Sequence, residues 1–378
     1  MNAPHPTDSS ITDAATLAPA HVRAIAPYRA GRPISEVARD YGLDEASIVK
    51  LASNENPLGM PESARKAMIA AATDLGRYPD PNGFDLKAAL SKRFDVPSDW
   101  LTLGNGSNDI LELAARALLH PGLSAVYSQY SFQVYELATQ ATGARAIVTP
   151  AANLGHDLPA MRAAIAADTR IVFIANPNNP TGTFLPPEQI EAFLASVPSH
   201  VVVVLDEAYN EYLEPAQRFE AVEWVRRFPN LVLSRTFSKA YGLAGLRVGY
   251  SVAQPAMTDL MNRVRQPFNV NSIAQAAAVA ALADADFLER SRVLNAQGLT
   301  LMQQAFDQLG LSYVKSSGNF VLVKVGDAAA VNEKLLRAGV IVRPVGNYGL
   351  PEWLRISIGL PEENQVFLAA LRAALGRT

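Results

Sequence analysis

The feature that most constrains this chain is a series of short, β-branched apolar runs separated by helical stretches between about residues 105 and 252. The runs are Ala125-Val126-Tyr127, Ala146-Ile147-Val148, Ile171 to Ile174, Val201 to Leu205 and Leu231 to Leu233. Runs of this kind suit strands buried on both faces, and the helical patterns between them supply the covering layers. The pattern predicts an α/β fold with a largely parallel sheet. Ligands of such sheets bind beyond the carboxyl ends of the strands. Two runs end there in polar signatures, Asn176 to Gly182 and Asp206 to Tyr209.

After about Gln266 the character changes. An Ala-rich helical region carrying Asp284, Glu289 and Arg290 leads to apolar runs at Phe320 to Val323, Val340 to Val342 and Leu354 to Ile358, which predict a smaller α/β domain. The expected division is a flexible tail over 1–20, a segment over 21–50 packing with the small domain, a large domain over 51–265 and the small domain over 266–378. A chain of 378 residues buries roughly three quarters of its unfolded surface, so a sizeable core is available.

With 33 basic and 36 acidic residues there is no overall field to recruit nucleic acid or an anionic membrane. The absence of cysteine excludes disulfides, thiolate nucleophiles and cysteine-ligated metals. The five histidines, His5, His21, His120, His156 and His200, lack ligand spacing, so no metal site is expected. The opening to about Ala20 has no basic start followed by an apolar stretch, and the apolar runs stop short of the roughly 20 residues of a membrane span. A soluble, cytoplasmic protein acting on small molecules is the expectation.

The most specific stretch runs from Ser234 to Gly249 around Ser238-Lys239. A lysine forms a Schiff base only when its amine is neutral, and burial or nearby positive charge lowers its pKa. Lys239 follows a strand, with hydroxyl residues before it and glycines after it. Ser238 and Arg247 are then placed to face a phosphate, the arginine through charge-assisted bonds. Alone, Lys239 reads as a solvated loop lysine; the surrounding pattern points to a carbonyl cofactor.

Thirty-three residues earlier, Asp206 stands at a strand end before Tyr209. Pyridoxal 5′-phosphate (PLP) works as an electron sink only while its ring nitrogen stays protonated, and a paired carboxylate keeps it so. Asp206 suits that role, although an isolated aspartate there also reads as a cap or an ion pair. Tyr209 is placed to donate to the ring oxygen O3′, as is the amide of Asn179 within the rigid turn Asn176 to Gly182. The segment Gly104 to Leu111 opens a helical pattern and offers backbone donors to the phosphate, with Gly106, Ser107 and Asn108 the expected contacts. A dinucleotide fingerprint wants a third glycine where Asp109 stands, and no Gly-Lys-Ser/Thr follows for a Walker loop.

Together these pieces resemble the fold type I PLP enzymes, and specifically the histidinol-phosphate aminotransferase family, over nearly the whole chain from about Tyr28. Further matching segments are Asn54-Glu55-Asn56-Pro57, Arg77-Tyr78-Pro79, Tyr130 and Leu354-Arg355-Ile356-Ser357. The resemblance implies a large domain with a mostly parallel seven-stranded sheet flanked by helices. It also implies that Tyr130 stacks on the cofactor ring and that Tyr78 reaches the cofactor phosphate of the neighbouring subunit of a homodimer. It gives Arg355 the acidic group of the substrate and makes Arg343, Tyr28 and Asn54 further substrate contacts. The implied reaction is a ping-pong transamination between histidinol phosphate and 2-oxoglutarate, an amino donor and a 2-oxo acid. Many relatives carry Asp where this chain has Asn108, an amide that still donates, and the run Arg343 to Gly349 is a variant beside the substrate arginines.

The nearest rival reading is an aromatic aminotransferase for phenylalanine or tyrosine, which shares every cofactor residue and for which Tyr348 offers an aromatic contact. A PLP decarboxylase of a phosphorylated amino acid is more distant. A non-catalytic PLP-binding module normally appends a basic DNA-binding region, which is absent here. Neither Ser107 nor Ser238 has the flanks of a hydrolase nucleophile elbow.

Overall fold

The computed structural model describes residues 14–28 and 31–377. The first thirteen residues of the expected tail lie outside the described range. A seven-stranded sheet forms from β1 (Leu101–Gly104), β2 (Ser124–Ser128), β3 (Arg145–Thr149), β4 (Thr169–Ala175), β5 (Val202–Asp206), β6 (Leu231–Thr236) and β7 (Gly249–Val252). Their order is β1-β7-β6-β5-β4-β2-β3, and only β7 runs antiparallel to its neighbours.

Both faces of the sheet are covered, which explains why its strands read as continuous apolar runs. On one face Val172, Ile174, Val203, Leu205, Leu231 and Leu233 pack with helices α1 (Glu62–Ala71) and α2 (Phe84–Phe94) through Ala64, Leu86, Leu90 and Phe94. On the other, Ile171, Phe173, Val204 and Val232 pack with α3 (Ser107–Leu118) and α4 (Val134–Ala141) through Ile110, Leu111, Tyr135 and Ala138. Successive strand residues therefore alternate between two cores, as the two-residue repeat of a strand requires.

Helix α5 (Ser272–Leu282) joins the first of these cores. Its buried alanines 274, 277, 278 and 281 recur at helical spacing and let it lie closely on α1, with the Asn271 side chain capping its start. The change of composition after Gln266 thus precedes the change of core, which falls within the long helix α6 (Ala285–Gln308). Leu288 near its start packs against the large-sheet core, whereas Met302, Ala305 and Phe306 enter a second core. The small alanine side chains that mark the change of composition thus serve the large core.

The second core lies between α6, α7 (Ala328–Arg337), α8 (Pro361–Ala374) and a four-stranded antiparallel sheet ordered β8-β9-β11-β10. Its strands are β8 (Tyr313–Val314), β9 (Phe320–Lys324), β10 (Arg343–Pro344) and β11 (Trp353–Ser357). The N-terminal segment meets this part of the molecule. Val49 and Lys50 pair in parallel with Val340 and Ile341, and Val37 and Ile48 pack with Leu336 and Ile341.

Register sets the location of the site. Ala175 on β4 and Ser234 on β6 both lie opposite Asp206 on β5, so the chain leaves three adjacent strands at or just beyond one level. The turn from Asn176, the segment Glu207 to Tyr209 and the segment from Phe237 to Arg247 all open from that edge. Leu51 to Asn54 arrive from the other core, where Leu51 O accepts from Ser357 N and Ser357 Oγ accepts from Asn54 N.

Candidate active site

A cavity opens at these carboxyl ends, and Tyr28, Asn54, Ser107, Asn108, Asn179, Asp206, Tyr209, Ser238, Lys239, Arg247, Arg343 and Arg355 all line it. Residues up to 327 positions apart in the chain are thereby brought to one place.

Asp206 is 5% exposed. Its Oδ2 accepts a hydrogen bond of 3.0 Å from the Tyr135 hydroxyl, and its Oδ1 has no partner among the described residues. Burial pushes its pKa up to about 7, against the lowering effect of the Tyr135 bond. A buried carboxylate oxygen without a donor beside a cavity is unfavourable until a donor arrives. A protonated ring nitrogen is such a donor.

Lys239 is half-buried, with its Nζ donating to Ser53 O at 3.1 Å and 5.8 Å from the Tyr209 ring centroid. Burial lowers its pKa to about 8, helped by the positive charges of Arg355 and Arg247. The sequence expectation of a lysine readily made neutral thus has a physical basis in its surroundings.

The anion end is built from backbone. Gly106 caps α3 with φ of 83°, and a Cβ there would lie 2.5 Å from Arg247 Nη2. A Cβ on Gly249 would lie 2.6 Å from Gly106 C and 2.8 Å from Ser107 N. Both positions need glycine so that the loop, the helix start and the guanidinium can close on one point. Arg247 donates from Nη1 to Ser238 Oγ at 3.2 Å and from Nη2 to Asn105 O at 3.1 Å. Ser107 and Asn108 stand at the cavity wall, with Gly106 immediately behind them.

On the opposite side, Asn54 Nδ2 donates to the Tyr209 hydroxyl oxygen at 3.0 Å, which leaves the phenol proton to be donated elsewhere. Burial raises the Tyr209 pKa to about 12, so it keeps that proton. Arg355 donates from Nη1 to Asn179 Oδ1 and from Nη2 to Ala52 O, each at 2.6 Å, while its buried Nε has no partner among the described residues. With its oxygen so engaged, Asn179 has its amide left as donor. Arg343 lies over the Tyr28 ring, 5.6 Å from its centroid.

Two of the expected residues do not line this chain's cavity, and for one of them, Tyr78, the expected place is the neighbouring subunit's site. Tyr130 does not line the cavity; it has φ of 57° and packs beside Val345, Leu350 and Tyr348. The aromatic side chain at the wall between β2 and α4 is Phe132, two residues on, because the left-handed turn at Tyr130 redirects the chain. Tyr78 is 82% exposed and stacks on Phe268 at 4.7 Å, away from the cavity of its own chain. Sequence reasoning also missed Tyr135, Thr236 and Phe132. No motif in the sequence singled these three out.

Among the described residues no His, Asp and Glu group is arranged to hold a metal ion, and no helix is long and apolar enough to cross a membrane.

A model of the aminotransferase class I and II family matches residues 46–371. Histidinol-phosphate aminotransferase 1 of Cupriavidus pinatubonensis is 70% identical over 361 residues, covering 94% of this chain and 96% of that protein. Histidinol-phosphate aminotransferase 2 of Ralstonia nicotianae is 68% identical over 363 residues, with 95% and 97% covered. A crystal structure of histidinol-phosphate aminotransferase from Sinorhizobium meliloti in complex with pyridoxal-5′-phosphate superposes with a TM-score of 0.87 at 30% identity, covering 94% of this chain and 97% of that one. The sheet order, the lysine beside the anion cradle and these likenesses define an aminotransferase of fold type I, which uses PLP. Within that class, the chain belongs to the histidinol-phosphate aminotransferase family.

Proposed function

We propose that this aminotransferase exchanges the amino group of histidinol phosphate with 2-oxoglutarate, giving imidazole-acetol phosphate and glutamate, as a step of histidine biosynthesis in the cytoplasm. The observation that carries the reading is the unpartnered Asp206 Oδ1, buried at the wall of the same cavity as a lysine whose pKa is lowered to about 8. The family relationship supports the choice of substrate over an aromatic amino acid.

PLP, when bound, withdraws electrons from the bond to the substrate's α-hydrogen. Lys239 Nζ would bond the cofactor's aldehyde carbon. Gly106, Ser107, Asn108, Ser238 and Arg247 would hold the phosphate, Asn179 and Tyr209 would donate to O3′, and Phe132 would flank the ring. Asp206 would keep the ring nitrogen protonated. The neutral Lys239 amine would take up the proton of the substrate's α-carbon and later release it, serving as base and then acid. Arg355 offers its Nε to the substrate's acidic group, and Arg343, Tyr28 and Asn54 complete that end. Tyr348, at the same wall, bounds the space left for the side chain.

The molecule then divides into a large part built on the seven-stranded sheet and a small part built on the second core, with the site where they meet. A homodimer completes it, with Tyr78 reaching the partner's cofactor phosphate; its high exposure and distance from its own cavity support that placement.

Borohydride reduction followed by peptide mapping tests the chemistry. The label is expected on Lys239, and Lys239→Ala is expected to lose both the yellow absorbance and turnover. Side-by-side rates with histidinol phosphate and phenylalanine test the substrate, and a preference for phenylalanine sinks that choice.

A further inference from the structure

Tyr135 lies on α4, outside the set of residues that line the cavity, yet its hydroxyl bonds the carboxylate on which the proposed chemistry depends. It is fully buried. One ring face stacks on Phe173 of β4, with centroids 4.9 Å apart and planes within 5° of parallel. Phe132, which does line the cavity, stands edge-on to it at 6.0 Å and 89°. The ring is therefore fixed by packing, and its hydroxyl points at Asp206 Oδ2 with no freedom to follow another partner.

We propose that Tyr135 is a positioning residue for transamination: it occupies Asp206 Oδ2 so that Oδ1 alone meets the cofactor's ring nitrogen. The inference rests on the cofactor reading given above and deepens it. A carboxylate has two oxygens and a free torsion, and either oxygen is able to take the ring proton unless one is engaged. Tyr135 removes that choice with a neutral donor, which stabilises the ionised carboxylate without cancelling its charge. An arginine or lysine in the same place would compete with the ring nitrogen for the negative charge.

Electrostatics agrees with the geometry. Burial drives Asp206 towards its protonated form, and the Tyr135 bond opposes this first, with the Ala208 backbone N–H adding a smaller effect in the same direction. Burial also holds Tyr135 well above the ordinary tyrosine range, so it stays a donor at any working pH. The other titratable groups facing Asp206 are Glu207, the residue after its strand, Lys239 across the cavity and Tyr209 from the following turn. His156, against Ala175 on β4, is pushed down to about 4 by burial and is neutral.

The test is a colour titration of the loaded enzyme, comparing wild type with Tyr135→Phe, which keeps the stacked ring and deletes one oxygen. A loosened Asp206 holds less positive charge on the ring, and the nitrogen of the Lys239 linkage then keeps its own proton to higher pH. The midpoint of the yellow band is expected to rise by about half a pH unit or more, with kcat lower by about tenfold and KM little changed. Reconstituted with a cofactor analogue that has carbon in place of the ring nitrogen, the two proteins are expected to titrate alike. In an Asp206→Asn background, adding Tyr135→Phe is expected to move nothing further. A band with an unmoved midpoint, or a shift of equal size with the analogue or in the Asp206→Asn background, overturns the role of Tyr135 alone. Absence of any yellow band from the wild type overturns the cofactor reading, and this inference with it.

Discussion

At the scale of single residues, the site depends on two groups whose proton affinities the fold has moved towards each other. Lys239 falls from 10.5 to about 8 and Asp206 rises to about 7, both through burial first. At neutral pH about a tenth of Lys239 amines are then neutral, roughly 300-fold more than for an ordinary lysine. Capture of PLP by cofactor-free protein needs a neutral amine and an ionised carboxylate, and both fractions grow with pH. The capture rate is expected to climb from pH 6 and level off above about 8, as stopped-flow absorbance will show. The stability consequence has a definite sign. For a lysine of depressed pKa the fold's penalty is full below about 8 and gone above 10.5, so cofactor-free Lys239→Met should melt above wild type at pH 7 and converge with it near pH 10.5. Lys239 and Asp206 were legible in the sequence because one closely follows a strand and the other ends one, each amid a distinctive run. Tyr135 was not, because its partner is 71 residues away and its own neighbours on α4 read as an ordinary apolar helix face.

At the scale of elements, β5 and β6 are joined beside the site by charges as well as by their ladder. Arg235 on β6 donates from Nε to Glu207 Oε2 at 2.8 Å, with the two side chains 3% and 1% exposed. Its Nη2 reaches Glu220 at 2.9 Å, a carboxylate that is 49% exposed. Removing one member of a buried pair leaves the other uncompensated, at a cost of about 3–5 kcal/mol, whereas a half-exposed partner is worth less than about 1 kcal/mol. Arg235→Met is therefore expected to lower denaturant stability several-fold more than Glu220→Gln. Because Glu207 follows Asp206 directly, the arginine variant is also expected to bind cofactor more weakly. Four of the five runs that announced the sheet are strands buried on both faces; the fifth, β3, is an edge strand with Val148 53% exposed, and it was legible through its β-branched residues alone. The outer strand β1 and its antiparallel neighbour β7 escaped the reading because each is four residues long and mixes glycine, threonine or serine with its apolar positions. Alanine explains the offset between composition and core in the same terms: α5 looks like a change of composition, but small side chains at helical spacing are what close packing on α1 demands.

At the scale of the whole molecule, what one chain does not contain is as informative as what it folds. Ile69, Leu75, Tyr78 and Phe84 are large apolar side chains between 54% and 82% exposed within a short stretch, and Phe268 packs on Tyr78 from a second segment. No composition or periodicity distinguishes such side chains from core residues, so the sequence supported a shared site only through family likeness. A twofold-symmetric dimer makes a sharp prediction, because each site would then draw Lys239 from one subunit and Tyr78 from the other. Lys239→Ala cannot capture the cofactor, and Tyr78→Ala should bind it weakly through loss of a charge-assisted phosphate contact, about 1.5–3 kcal/mol. After unfolding and refolding together in equal amounts, half of the dimers carry one chain of each kind. In such a dimer one site has lost both groups and the other has both intact, so about a quarter of all Lys239-containing and Lys239-free sites together are wild type. At a cofactor concentration too low to load Tyr78→Ala, the co-refolded mixture should show yellow absorbance and turnover that neither variant shows alone. Simple addition of the two separate preparations sets the baseline. Activity no greater than that baseline, from a mixture shown by tagged pull-down to contain mixed dimers, would place Tyr78 outside the neighbouring site.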